Sequence, residues 1–158
     1  MNSEGPGEAT LIVSFSDEQQ LEVDQSRLVA VARRTLESEA ATGEISITLV
    51  DQERMRVLNE RYRGEPYPTD VLAFPIDEQH GPTASPSDPW GPPRMIGEVV
   101  ICPEVALGQA EAGLDSEMEL LVAHGVLHLL GYDHDSEDHA ASMRRREHDL
   151  TGRSGARA

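Results

Sequence analysis

His124, His128 and His134 stand at a spacing that suits a metal ion, in the run His124-Gly-Val-Leu-His128-Leu-Leu-Gly131-Tyr-Asp-His134. Residues four apart on a helix differ by about 40° in direction and about 6 Å in rise, so His124 and His128 point the same way. Imidazole nitrogens bind zinc at about 2.0–2.1 Å, and one ion can be shared by two such rings. A third ring has to approach from the side, so the chain must turn. Gly131 can adopt the positive φ that stops a helix, and His134, three residues on, is placed to return to the ion.

A single histidine on an apolar helix is more often a satisfied core residue than a ligand. Here the pair sits in a helix that otherwise tolerates almost nothing polar, where burying imidazoles without partners costs a few kcal/mol each. The glycine stop and the third histidine add weight to a metal. All-imidazole ligation favours zinc, while nickel, cobalt and copper share the affinity for imidazole. Three protein ligands leave a position open, the mark of a catalytic zinc. Asp133, Asp135, His139 or Glu98 would close the site if one were a fourth ligand. Zinc polarises a phosphoryl or carbonyl oxygen and activates water, so the chemistry implied is hydrolysis or a related transfer. The spacing also matches the protease pattern H-E-x-x-H-x-x-G-x-x-H. In this chain the position of its general-base glutamate is Gly125, which cannot move a proton, so peptide hydrolysis by that route is disfavoured.

The elements that must hold these residues follow from apolar periodicity. Thr10 to Phe15 reads as a strand, and Leu21 with Val23 as a short extended piece. Residues 24–40 carry Leu28, Val31, Ala32 and Leu36 at helical spacing behind Asp24 or Ser26 as cap. Ile45, Ile47 and Leu49 alternate with polar residues as in a half-buried strand. Asp51 caps a helix with Met55, Leu58 and Tyr62 on one face. Residues 71–76 and 95–102 are two more strands. Pro103 opens a helix toward Ala112. Ser116 and Glu119 suggest a capping box before the apolar helix that ends at Gly131. A last helix spans about 136–150. The result is a single α+β domain with a mixed sheet of about four strands, about five helices and a zinc-hydrolase-like architecture.

Size and charge bound the function. A chain of 158 residues suits one domain, expected here over residues 10–150, with disordered ends at 1–9 and 151–158. The stretch from Asp77 to Arg94, rich in proline, reads as a long surface loop. Cys102 is the lone cysteine, read as core, so no internal disulfide or Cys-rich zinc module forms. No apolar run is long enough for a membrane span and no secretion signal stands at the start, which points to the cytoplasm. A net charge of −16 repels nucleic acid at long range. A nucleic-acid role therefore needs a local arginine, a metal or a docking partner, and no binding to DNA is expected. His80, His139 and His148 read as surface residues. Arg54, Arg56, Arg61 and the run Arg144–Arg146 read as wet helix faces unless a site recruits them.

Three blocks give this sequence a family resemblance: 124–134, then Tyr62-Arg63-Gly64 with Pro68-Thr69-Asp70-Val71-Leu72-Ala73-Phe74-Pro75, and Ile96-Gly97-Glu98-Val99-Val100-Ile101. Together they resemble the YbeY family of bacterial endoribonucleases across roughly residues 45–150. The resemblance implies one zinc ion held by His124, His128 and His134. It makes Arg63 the catalytic or RNA-contacting arginine, a role suited to a permanent charge that forks onto phosphate oxygens. It also implies a single-strand-specific endoribonuclease acting in ribosomal RNA maturation and ribosome quality control, with the small ribosomal subunit and its proteins as partners. Ala73 and Glu98 depart from the family's usual serine and aspartate. Two rival readings remain beside this one: a non-catalytic ribosome-assembly factor with a structural metal, and a metal-dependent peptidase-like hydrolase.

Overall fold

The computed structural model describes residues 11–76, 94–132 and 136–152. His80, Asp133, His134, Asp135, the expected frayed segment at 1–9 and nearly all of the proline-rich stretch lie outside these residues. Within them the order is β1 (Leu11–Asp17), α1 (Gln25–Ser38), β2 (Gly43–Leu49), α2 (Gln52–Arg63), β3 (Val71–Pro75), β4 (Met95–Ile101), α3 (Pro103–Gln109), α4 (Leu114–Leu129) and α5 (Glu137–Thr151). The sheet runs β1-β2-β4-β3. β1, β2 and β4 are parallel, and β3 joins β4 antiparallel at one edge. This is the α+β domain with a mixed four-stranded sheet and five helices that the periodicity predicts. Among the described residues no helix is long and apolar enough to cross a membrane.

Strand alternation sorts the core into two unequal parts. Ile45, Ile47, Leu49, Val71, Val99 and Ile101 face α1 and α4 and form the main core. Leu72, Val100 and half-buried Phe74 point the other way, where Met55 and Leu58 of α2 cover them. The rest of that second face is polar, with Ser14 donating to Glu44 and Thr48 to Glu98. Cys102 is fully buried, as expected, and burial pushes its thiol up.

Local chemistry overrides three boundaries. Leu21 forms no strand, because the Gln19 side chain takes both its backbone N–H and its C=O, at 2.9 and 2.7 Å. α3 stops at Gln109, short of Ala112; the Gln109 amide donates to buried Asp70 at 2.6 Å, and Gly113 at φ 97° turns the chain into α4. The capping box at Ser116 and Glu119 is absent. α4 starts earlier, at Leu114, with Gly113 as its cap, and Glu119 accepts from Arg27 of α1 at 2.9 Å. At the other end α5 runs to Thr151, closed by Gly152 in the left-handed region.

α4 is buried almost all round, as its composition demands. It lies against β4 so closely that a Cβ on Gly125 would stand 2.6 Å from Val99 Cγ1. Val99 is β-branched and fully buried, so it has little freedom to retreat. Gly125→Ala should therefore destabilise the domain. The helix propensity gain of about 1 kcal/mol is outweighed by overpacking of about 1–3 kcal/mol. Urea unfolding measures the difference, and a variant as stable as the parent would show that α4 can lift off β4 without cost.

Candidate active site

His124 and His128 occupy adjacent turns of α4, their ring centroids 4.6 Å apart and their planes at 77°. His124 is 3% exposed, while His128 is half-buried. The helix ends as its glycine requires. Gly131, at φ 103°, donates its N–H to His128 O at 3.1 Å, and Tyr132 donates to Leu127 O at 3.0 Å. This paired closure reverses the chain. Tyr132 then packs beside Leu127 and Met143, and its hydroxyl donates to Glu39 at 2.9 Å. Burial, and then that hydrogen bond, push its phenol above the ordinary range. The chain thus turns where His134 would need it to, although His134 itself lies outside the described residues.

Beneath His124 stands a residue that sequence reading passed over. Glu147 of α5 is 2% exposed, and its Oε2 lies 2.7 Å from His124 Nδ1. A carboxylate accepts from Nδ1–H, and this fixes the tautomer that turns the Nε2 lone pair toward a metal. The signal was present in α5: Met143, Glu147 and Leu150 are spaced i, i+4, i+7, so a glutamate falls on the buried stripe. α5 is held in place by Arg146, which donates to Glu39 at the C-terminal cap of α1 at 2.8 Å, and by Arg34, which donates to Leu150 O at 3.3 Å.

Arg63 closes the other side. It is the last residue of α2, ended by Gly64 in the left-handed region at φ 75°. The loop beyond is pinned by buried Asn59, whose Nδ2 donates to Tyr67 O at 2.7 Å. Arg63, Ala73, Pro75, His124, His128 and Tyr132 help line one cleft of about 450 Å³. That volume is typical of small-molecule sites. The Arg63 side chain is 43% exposed, and among the described residues its nearest carboxylate, Glu65, stands 3.7 Å away. Sequence-distant Arg63 and the helix histidines therefore meet. Arg56, by contrast, is taken by Glu53 and Glu60, and Arg146 by Glu39, so neither extends a basic patch.

A family model for endoribonuclease YbeY matches residues 13–155 of this chain. Among curated relatives, the endoribonuclease YbeY of Acidothermus cellulolyticus is 45% identical over 139 residues, covering 84% of this chain and 85% of the relative. That of Streptomyces griseus is 37% identical over 161 residues, covering 91% and 96%. The chain belongs to the endoribonuclease YbeY family. Its fold is also similar to the solution structure of TM1509 from Thermotoga maritima, with a TM-score of 0.53, 24% identity and 89% of both chains covered.

The two positions where this YbeY family member departs from the usual pattern have different settings. Ala73 lines the cleft, so a serine hydroxyl is missing from its wall. Glu98 projects from the sheet face opposite α4, because its neighbour Val99 is the residue packed against Gly125. It accepts from Thr48 Oγ1 at 2.6 Å and is not a fourth ligand for the helix histidines. His139 and His148 are exposed on α5, as expected of surface residues. Among the described residues, no three His, Cys, Asp or Glu side chains form a group that could hold an ion by themselves.

The donor set nevertheless fits zinc: two imidazoles one helical turn apart, one of them oriented by a buried carboxylate. Glu147→Gln should weaken zinc binding by about 10–100-fold, the usual effect of losing such a partner. Competition against a chromogenic chelator reads this directly. An unchanged affinity would reduce the Glu147–His124 contact to a packing role.

Proposed function

We propose that this chain is a zinc-dependent endoribonuclease that cuts single-stranded RNA in the cytoplasm. Its substrate in this reading is ribosomal RNA, in maturation and in ribosome quality control, with the small ribosomal subunit and its proteins as docking partners. The observation that carries the proposal is the meeting of Arg63 with His124 and His128 in one cleft. Family membership supports the choice of RNA over other phosphodiesters.

The chemistry then divides among named groups. His124, His128 and His134 would hold the zinc, which when bound supplies a Lewis acid for a phosphoryl oxygen and activates water. Arg63 holds the scissile phosphate and stabilises the charge that builds on its oxygens. Glu147 keeps His124 in the productive tautomer. Val71, Ala73 and Pro75 supply the apolar part of the cleft wall between these groups. A net charge of −16 disfavours long-range capture of RNA, which suits recruitment through a basic ribosomal protein followed by a local contact at Arg63.

A peptidase reading receives no support from α4. The place of the protease glutamate is Gly125, pressed against Val99, and no side chain fits there without displacing the strand.

Purified protein should cleave a single-stranded RNA oligonucleotide and contain one zinc per chain by elemental analysis. Arg63→Ala should lower kcat by about 10²–10³, the scale for losing one preorganised donor. His128→Ala should lose both the metal and the activity. Full cleavage by both variants, or a zinc-free parent that still cleaves, would sink the assignment.

A further inference from the structure

Aromatic side chains are scarce in this protein: two Phe, three Tyr and one Trp. Two of them, Tyr62 and Tyr67, are left in water, and of these Tyr62 has an aromatic contact among the described residues. Tyr62 is 59% exposed, and it immediately precedes Arg63 on the last turn of α2. Its ring meets Phe74 of β3 edge to face, with centroids 4.9 Å apart and planes at 62°. Phe74 is anchored in the smaller apolar cluster with Leu72 and Val100. That contact props Tyr62 against the sheet and restricts its rotation, yet most of the residue stays in solvent. A ring that is ordered and exposed has already lost conformational freedom, so a flat ligand can stack on it at small entropic cost.

The surrounding charges select the ligand. Arg63, the next residue in the chain, lines the cleft and suits a phosphate, while the Tyr62 ring lies on Phe74 at the edge strand. Glu98 is the cross-strand partner of Phe74, so the two side chains share a face of the sheet. Its carboxylate is oriented by Thr48. A phosphate approaching Phe74 and Tyr62 would meet like charge from Glu98. A neutral base would not, and its exocyclic amino group could donate to that carboxylate. Backbone belongs at Arg63, and a base belongs at Tyr62.

We propose that Tyr62, propped by Phe74, is a stacking platform for a nucleobase of the single-stranded RNA whose adjoining phosphate is held at Arg63. This rests on the reading of the cleft as a ribonuclease site. Stacking tolerates every base because each has a π-face, and it contributes to binding wherever the strand is unpaired. The platform would therefore favour single strands over duplex, in which the base faces are already covered.

The test uses the full chain with a fluorescein-labelled single-stranded RNA, as a non-cleavable 2′-O-methyl form for affinity and as natural RNA for kinetics. Tyr62→Ala should weaken binding and raise KM about tenfold, within the range for one base–aromatic stack, with little change in kcat. Tyr62→Trp should bind at least as well as the parent. An oligonucleotide carrying an abasic site at the stacked position should lose the same factor against the parent and nothing further against Tyr62→Ala. Melting temperatures of the variants check that each is folded. Unchanged RNA affinity and KM in Tyr62→Ala, beside a parent that cleaves, would overturn this proposal and leave the ribonuclease reading intact. Loss of affinity for a basic ribosomal protein without loss for RNA would reassign the ring to protein docking. If the parent neither binds nor cleaves RNA, both proposals fall together.

Discussion

The most demanding object in this molecule is a polar ring set into its driest helix. α4 approaches β4 to within glycine distance and is covered by α1, α5 and the sheet, so His124 is left 3% exposed, at the floor of the cleft. An imidazole placed there without a partner would lose its hydration for nothing, at a cost of about 1–3 kcal/mol. Glu147 meets that demand, but it is itself buried and has to be brought in by α5. α5 in turn docks through Arg146, Glu39 and Tyr132, which tie it to the end of α1 and to the turn after α4. The contacts that seat the last helix are thus the same contacts that orient the first histidine. Fold and site are not separable here: loosening the α1–α5 joint would also loosen the ring.

The opposite wall of the cleft is built by a different logic. Arg63 sits at the exposed end of α2, and what fixes it is backbone termination at Gly64 together with the pinning of the following loop. Asp70, at the far end of that loop, is buried, receives the Gln109 amide and passes its carbonyl to Cys102 N–H at 2.9 Å. The loop is therefore tied to α2 at Tyr67 and, at Asp70, to both ends of α3: Gln109 and its capping residue Cys102. In a protein with such an excess of acid, three arginines are neutralised locally. Arg27, Arg56 and Arg146 are all raised by carboxylate hydrogen bonds. Among the described residues Arg63 has only a long contact to Glu65, which leaves its charge available to whatever enters the cleft.

How much of this could be read from sequence depends on whether the relevant physics is periodic. β2 was legible because Ile45, Ile47 and Leu49 alternate, and each is buried. α4 was legible because its apolar residues leave no polar face, and the fold class followed from the order of such segments. The failures fall where side chains compete with the backbone. Gln19 satisfies Leu21 so completely that no strand forms, and Glu119 is spent on Arg27 instead of a cap. Proximity of Arg63 to the histidines was not periodic either; it came from family resemblance, and the crossing of β3 beside α4 is what realises it. Glu147 lay between these cases. It occupies a core position of an otherwise apolar stripe, and a charged residue on such a stripe needs a polar partner on the helix it faces.

Gly125 ties the fold to the choice of substrate. A metal-bearing helix with a glutamate after its first histidine carries its own base and can attack a peptide. Here the same position is surrendered to packing against Val99, because the helix is needed as the centre of a small core. A site built this way must act on a bond whose cleavage asks little of a protein-borne base next to the metal. An RNA phosphodiester fits that description, because what it asks of the protein is chiefly to be held in line and relieved of charge. What the cleft offers, an arginine on one wall and oriented imidazoles on the other, is positioning and charge. The close packing that removes the protease base therefore leaves behind the functions a phosphodiester requires.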